Sequence, residues 1–531
     1  MAKKTKDSNL SIEERLEQAL IPNWDEPYKL PPNWCWVRVD AIAAIYTGNS
    51  INERVKEEKY TGKTDGLVYL ATKDIDFDST IDYDTNVCIP HSDGFKVAPK
   101  YSTLLCIEGG SAGRKIGFIT QDVCFVNKLC AFVPHGKINP KYLYYAIQSD
   151  AFKKQFDAKK HGLIGGVSVK EVSSIFIPFA PVEIQNKIVE LIESVFNKLD
   201  EAEGKAQEVV DGFETRKAAI LHKAFSGELT AKWRAENGAN IANYVKRRFD
   251  EVAVIKSNLV DPAEYQQYPH IAPDNIEKKT GVLLEYHTIA EDGVKSGKHR
   301  FYPGQILYSK IRPNLSKVVV VDFDGLCSAD MYPIEAIGDT KCLWYFMLSE
   351  NFLEQASSAG SRSVLPKINQ KELSALTVTI PDSIEEQKEI ANIIDRLFAK
   401  EYQVKETAEA VIEQINTMKK AILARAFCGE LGTNDSSEES AIELIKQIIE
   451  ERIKTEGLRS KRTPTTRKEV SFMAKTILEA LKSSEKLTPE KLKAETALEI
   501  DDFYDQLKVL INNGQIREIR IDGESYLEAA Q

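Results

Sequence analysis

The chain has 531 residues, is 43% hydrophobic and 28% charged, and carries a formal net charge of −10, values ordinary for a soluble globular protein of three or four domains. No apolar run approaches the roughly 18 residues that span a bilayer. The N-terminus MAKKTKDSNLSIEERLEQAL lacks a secretion signal's apolar core, and the eight Cys form no CxxC pair, so membrane, secreted, disulfide-framed and zinc-ribbon classes are set aside and a cytoplasmic location is expected.

In chain order, residues 1–33 read as a tail, a short helix opened by the capping-box sequence Ser11-Ile-Glu-Glu14, and a proline-rich loop. Residues 34–181 form a first mixed head. Its strand-like runs are CWVRV, GLVYLAT, STLLCI, KIGFIT and CFVNKLCAFV, with one helix near Lys141–Phe156. A long helix is expected within 182–232. Residues 233–381 repeat the pattern: FDEVAVI answers VDAIAAI, YPHIAPDNI answers VYLATKDI, and KCLWYFMLSENFLEQ answers KYLYYAIQSDAFKKQ. A second long helix falls within 382–432. Residues 433–468 read as a linker containing an amphipathic helix at 441–454 and a basic, Pro-containing stretch, LRSKRTPTTRK. Residues 469–531 suggest a small winged-helix-like domain, with a helix in FMAKTILEALK, a second opened by Thr488-Pro489, a third from Asp501, and a hairpin turning at Asp522-Gly523.

The long helix is written twice, about 200 positions apart, without a gap. Gln185, Ile188, Ile192, Phe196, Lys198, Lys217, Ile220, Leu221, Phe225, Gly227 and Glu228 each meet the same residue type in the second copy. Both copies carry coiled-coil heptads. In the first, one seam is Ile192, Leu199, Ala206, Phe213 and Ile220, and the other is Ile188, Val195, Ala202 and Val209. In the second they are Ile394, Ala408, Ile415 and Ile422, and Ile390, Leu397, Val404, Val411 and Met418, with only Glu401 out of pattern. A helix of about 40 residues is about 60 Å long and needs a partner for its stripe; the other copy is the nearest candidate.

This order of head, helix, head, helix resembles the specificity subunit of Type I restriction–modification systems. The resemblance covers roughly residues 34–432 and rests on LPPNWCWVRVDAIA, EGGSAGRKIGFI, YSKIRPNLSKVVV and the paired endings AILHKAFSGEL and AILARAFCGEL. It implies an α+β fold: two α/β target-recognition domains joined by two long antiparallel coiled-coil helices in pseudo-two-fold arrangement, followed here by the winged-helix-like domain. It also implies a non-catalytic chain of a bacterial or archaeal cytoplasm. Such a chain reads a split, asymmetric double-stranded DNA site and binds two methyltransferase subunits and up to two motor-nuclease subunits. S-adenosylmethionine, ATP and Mg would be used by those partners; no cofactor or metal is expected in this chain.

Loops bearing Arg, Lys, Asn and Ser are the natural DNA-contact candidates, since base edges and phosphates take such donors. In the first head these are Lys73, Arg114, Lys115, Lys160, His161, Ser168 and Lys170. In the second they are Asn275, Lys310, Arg312, Asn314, Arg362, Ser363 and Lys367. Arg312 precedes a proline, which restricts its direction. An ordinary solvated charge is the competing reading for each.

Catalytic motifs are missing. Gly109–Lys115 lacks phosphate-loop spacing. Pro381-Asp382 followed by Glu386-Gln-Lys388 mimics a nuclease constellation, but it opens the second long helix, where acids complement the helix dipole. The seven His show no metal-ligand spacing. Two other readings stay open: the recognition half of a bifunctional restriction–methylation enzyme, and a protein-binding scaffold that never touches DNA.

Overall fold

The computed structural model describes residues 10–22, 26–162, 165–359, 366–461, 477, 480–481, 486–496, 500–521 and 524–530. The chain is α+β and divides into two compact units, Met1–Ile192 with Ile422–Gln531, and Glu193–Ala421. Each unit holds one head and a stretch of each long helix.

In the first unit, Ala43–Thr47, Leu129–Pro134, Thr103–Cys106 and Ile116–Phe118 form an antiparallel sheet in that spatial order. A second sheet orders Cys88–Ile89, Leu67–Leu70, Val123–Phe125 and Val97–Ala98, with its central pair parallel. Leu104, Cys106, Leu129 and Ala131 of one sheet share a core with Leu70, Ala98 and Phe125 of the other. The second unit repeats the plan. Ala253–Ile255, Met331–Ala336, Ile306–Ser309 and Val318–Val320 form the antiparallel sheet. Leu259–Val260, Lys298–Phe301, Gly325–Cys327, Pro269–Ile271 and His287–Thr288 form the mixed one.

Two strand and helix expectations need correction. The run CFVNKLCAFV is two strands in different sheets, broken where Leu129 N–H turns back to the Val126 carbonyl. The single helix expected near Lys141–Phe156 is a pair, Pro140–Gln148 and Asp150–Ala158. Ser149 separates them in extended conformation: its hydroxyl donates to the Ala146 carbonyl at 2.6 Å and accepts the Phe152 N–H at 3.4 Å. Ser349 makes the same bonds to Phe346 and Phe352. A serine that satisfies both helix ends makes the break cheap.

Each long helix is fixed to its head by the same glutamine. Gln185 accepts the Asn139 N–H at 3.0 Å and donates to the Ala180 carbonyl at 2.8 Å. Gln387 accepts the Asp339 N–H at 2.8 Å and donates to the Pro381 carbonyl at 2.7 Å. The second copy is one helix, Ile384–Phe427. The first is interrupted: Val182–Asp211 and Phe213–Phe225 meet at Gly212. The Arg216 guanidinium lies over Gly212, 2.5 Å from where a Cβ would stand, and donates to the Val209 carbonyl at 2.8 Å. A side chain inserted into the backbone ladder is a recognised cause of such a break.

Within the second unit the helices run antiparallel. Lys419 pairs with Asp200 and Glu203 at 2.6 Å each, Phe213 packs on Tyr402, and Arg216 pairs with Glu401 at 2.7 Å. Glu401, the residue out of heptad pattern, is therefore an ion-pair partner. Phe213, Ala408 and Ile415 are buried, as are Ile188, Ile192, Ile390 and Ile394. Val195, Leu199, Ile220, Leu397 and Ile422 are half-buried, however, and Val404, Val411 and Met418 are exposed at 48%, 37% and 50%. A pair of helices covers one stripe on each, so from Val404 onward the second seam of the second copy faces outward.

Arg234 and Glu386 explain the nuclease-like sequence. Glu386 is fully buried and accepts from Arg234 at 2.7 Å and from the Thr230 hydroxyl at 2.8 Å. Asp382 pairs separately with Arg247. Glu386 thus stands in the first turn of the helix, as the dipole reading expects, and is also one half of a buried ion pair.

Ser11 and Glu14 form the expected capping box. The amphipathic helix after the second copy is longer than expected, Ala441–Lys461, and takes in the start of the basic linker. Its Arg452 donates to the Asp40 and Ala41 carbonyls at 2.9 and 3.2 Å. Near the C-terminus, helices Pro489–Glu495 and Ile500–Asn512 and the antiparallel strands Ile516–Ile521 and Glu524–Ala529 share a core that includes Ile477, Leu481, Leu492, Phe503 and Leu527. Most of the expected first helix of that domain, and the Asp522-Gly523 turn, lie outside the described residues.

Candidate nucleic-acid interface

Three segments converge in each head, and the candidate residues lie on them. In the first head a short turn at Thr72–Asp74 is stabilised by the Asp74 carboxylate accepting the Ala71 N–H at 2.7 Å. Lys115 reaches across from the neighbouring loop and donates to the Thr72 carbonyl at 3.1 Å. The third segment joins through Gly109 N–H to the Gly165 carbonyl, and through Val167 N–H to the Ile107 carbonyl, each at 2.9 Å. The second head copies every link. Asn275 accepts the Ala272 N–H at 2.8 Å, Lys317 donates to the Pro273 carbonyl at 2.7 Å, and Ile368 N–H bonds the Lys310 carbonyl at 2.9 Å.

This framework sorts the candidates. Lys115 is a clamp between two loops, matched by Lys317 rather than by a residue of the second list. Ser168 caps the helix Val169–Ser173 and binds Glu171, as Asn369 does with Glu372. His161 sits 2.7 Å from the same Glu171, whose carboxyl is held down to about 2 by its Ser168 and His161 hydrogen bonds. Lys160 pairs with Asp157 at 2.6 Å. Asn275 is also committed to the fold, since its amide donates to the Glu285 carbonyl at 2.8 Å. Asp330 holds both Lys310, at 3.8 Å, and Lys367, at 3.3 Å. Arg362 and Ser363 lie outside the described residues.

Lys73, Arg114, Lys170, Arg312 and Asn314 are different. All five are exposed, and among the described residues their side chains have no hydrogen-bond or ion-pair partner. Arg114 and Lys115 both lie over the ring of Phe77, at 4.7 and 5.0 Å. Phe77 is 58% exposed at the tip of its loop and escaped the sequence reading. An exposed aromatic beside two cations is a stacking platform of the kind nucleic acids use; the signal was an apolar residue amid the polar DFDST. The matching position in the second head is Lys278, exposed. Arg312 is held by its backbone. Its φ of 47° and ψ of 62° are left-handed, its N–H bonds the Pro366 carbonyl at 2.8 Å, and Pro313 behind it is buried.

Residues 34–210 and 242–414 match the family model described as Type I restriction modification DNA specificity domain. The chain belongs to that family. It is 35% identical over 355 residues to the Type I restriction enzyme EcoDI specificity subunit of Escherichia coli, covering 61% of this chain and 79% of that one. With the EcoBI specificity subunit of Escherichia coli the identity is 23% over 478 residues, covering 81% and 94%. A solved chain from a type I R-M system superposes with TM-score 0.58 at 18% identity, covering 76% of this chain and all of that one, which supports the fold. All of the loop candidates fall inside the two specificity-domain matches. The helix Ala441–Lys461 and the C-terminal domain lie beyond them. Among the described residues no helix is long and apolar enough to cross a membrane, and no group of three or more His, Cys, Asp or Glu is placed to hold a metal ion.

Proposed function

We propose that this specificity subunit reads a bipartite, asymmetric DNA site, one half per head, and docks the methyltransferase and motor-nuclease subunits of its system. The observation that carries the proposal is the contrast inside the duplicated framework. The loop clamps, caps and helix staples are the same in both heads, while the tips differ: exposed Phe77 stands against exposed Lys278, and at the position before the shared lysine the exposed Arg114 stands against a buried Ser316. One scaffold with two sets of exposed donors suits two different half-sites. Two methyltransferase subunits supply S-adenosylmethionine chemistry, and up to two motor subunits supply ATP- and Mg-dependent cleavage. The outward stripe of Val404, Val411 and Met418 belongs to the docking surface.

The test is genome-wide methylation mapping in a host expressing this chain with its modification partner. A split motif with one methylated adenine in each half is expected, and exchanging residues 243–380 for another head is expected to alter one half only. A formed complex that writes no motif would favour a protein scaffold that never reads DNA.

A further inference from the structure

The outer face of the mixed sheet is filled differently in the two heads. In the first head Val97 and Tyr69 both pair with Cys124. In the second, Arg300 and His270 both pair with Leu326. Arg300 thus stands at the position of Val97, and His270 at that of Tyr69. In the first head this face is sealed: Tyr60, Tyr69, Val87 and Cys124 form a buried cluster, with Phe95 and Val97 packed against it.

The second head spends the same face on polar groups. The Arg300 guanidinium is ringed by Tyr302, Tyr265 and Tyr268 at 4.8, 5.3 and 5.9 Å. Beside it in the sheet, His270 and His287 bind one carboxylate, Asp292, at 2.7 and 3.3 Å. Both Arg300 Nε and His270 Nε2 are buried, and among the described residues neither has a partner. The other Arg300 contacts are long, 3.5 Å to the Tyr265 hydroxyl and 3.9 Å to Asp324, while its side chain stays 28% exposed. Unmet buried polar atoms are destabilising, and natural folds keep few of them without use.

We propose that Arg300 is a further base-reading residue of the second head, presenting its fork to a pair of acceptors on a purine edge of the target DNA, O6 and N7 of guanine being the match. This rests on the DNA-reading proposal above. Charge selects base over phosphate. Asp324 offsets part of the guanidinium's charge, which weakens its pull on a phosphate but leaves the geometry of the fork intact for neutral acceptors. The tyrosine ring limits the directions the fork can take, and a planar bidentate contact needs that restriction.

The experiment compares wild type, R300K and R300A, each as the full chain with its methyltransferase partner. It maps the methylated motif, measures affinity for specific and random duplexes across salt, and follows thermal unfolding. R300K keeps the charge and loses the fork. The expected result is relaxed discrimination at one position of one half-site, a fall in the specific-to-random affinity ratio of about 5- to 150-fold, and an unchanged salt slope. Equal losses on both duplexes with a shallower slope would make Arg300 a phosphate contact and overturn the proposal. So would an unchanged motif in R300K, whether or not R300A lowers the unfolding temperature, since Arg300 would then be structural. A wild-type complex that writes no motif sinks the DNA-reading proposal and this one together. A wild-type motif that survives R300K sinks this one alone.

Discussion

Arg312 gives the sharpest test because its backbone and its side chain make opposite predictions for one substitution. Its φ of 47° lies where a non-glycine residue pays roughly 1–2 kcal/mol. The loop imposes that conformation. Pro313 follows it and disfavours the right-handed helical region, and the N–H is tied to the Pro366 carbonyl at 2.8 Å. Glycine would release the strain but add unfolded-state freedom worth about 0.5–1 kcal/mol. The net gain for Arg312→Gly is about 0.5 kcal/mol, or about 1–2 °C in a unit of this size. Alanine keeps the strain, so Arg312→Ala leaves the unfolding temperature about where it was. On DNA the two variants behave alike, because both delete the guanidinium. Loss of a bidentate base contact costs about 1–3 kcal/mol, about 5- to 150-fold in specific affinity.

The assays are thermal unfolding of the full chain, and binding of specific and random duplexes at several salt concentrations. A more stable, weaker-binding Arg312→Gly beside an equally stable, equally weak Arg312→Ala is expected. Unchanged affinity in both variants refutes the contact. Equal weakening on specific and random DNA makes it a phosphate contact. A drop of several degrees in Arg312→Gly refutes the strain argument.

Four further outcomes are expected. Phe77→Ala weakens specific binding and relaxes only the half-site read by the first head, with stability within about 0.5 kcal/mol because the ring is exposed; an unaffected motif removes Phe77 from the interface. Arg234→Ala strands the buried Glu386 carboxylate and costs about 3–5 kcal/mol in urea unfolding, whereas the double change to Met at 234 and Leu at 386 recovers most of it; a small loss in the single variant contradicts the ion-pair reading. Phe213→Asp, at a residue 4% exposed, prevents folding, whereas Met418→Lys, at one 50% exposed, leaves folding intact and abolishes co-purification with the methyltransferase. Burial, aided by Arg452, pushes the His135 imidazole down to about 4. Its unfolded form therefore binds the proton first, and its stabilising effect is full above about pH 6.5 and lost as pH falls toward 4; His135→Leu is expected to flatten the unfolding temperature over that window.

The fold was legible wherever a signal repeats. Heptads and the duplication announced both long helices, and Gln185 with Gln387 was visible as a matched pair. Local chemistry that depends on tertiary partners was not. Ser149 and Ser349 were seen to be in register, but a serine inside an apolar helical pattern gives no notice that it will end one helix and begin the next. CFVNKLCAFV has the residue types of one strand, and only the packing of two sheets shows that Asn127 and Lys128 lie between two. The heptad rule puts Val404, Val411 and Met418 on a seam because it counts positions, whereas burial depends on how many helices come to cover them. At the candidate interface, charge alone could not separate Arg114, which has no ion-pair partner among the described residues, from Lys160, which Asp157 neutralises. Arg300 was missed because nothing local marks it; its meaning comes from three tyrosines brought to it by the fold and from the valine that replaces it in the other head.

The duplication also supplies an internal control. Three polar residue types that both copies keep are bonded to backbone in each: Gln185 and Gln387 join helix to head, Lys115 and Lys317 join loop to turn, and Gln155 and Gln355 hold the carbonyls of Phe176 and Thr377. None of these can distinguish one half-site from another, because both heads use them identically. On the DNA-reading proposal, discrimination therefore comes from positions where the copies part while the backbone around them stays the same. Phe77 against Lys278 and Val97 against Arg300 meet that condition. The first pair lies on the loop tips and the second on the face of the mixed sheet. If the proposal for Arg300 holds, the second head reads with a sheet face as well as with loops, while the first has closed that face with tyrosine and valine. Two heads of common origin would then differ in which surface they read from as well as in the bases they read.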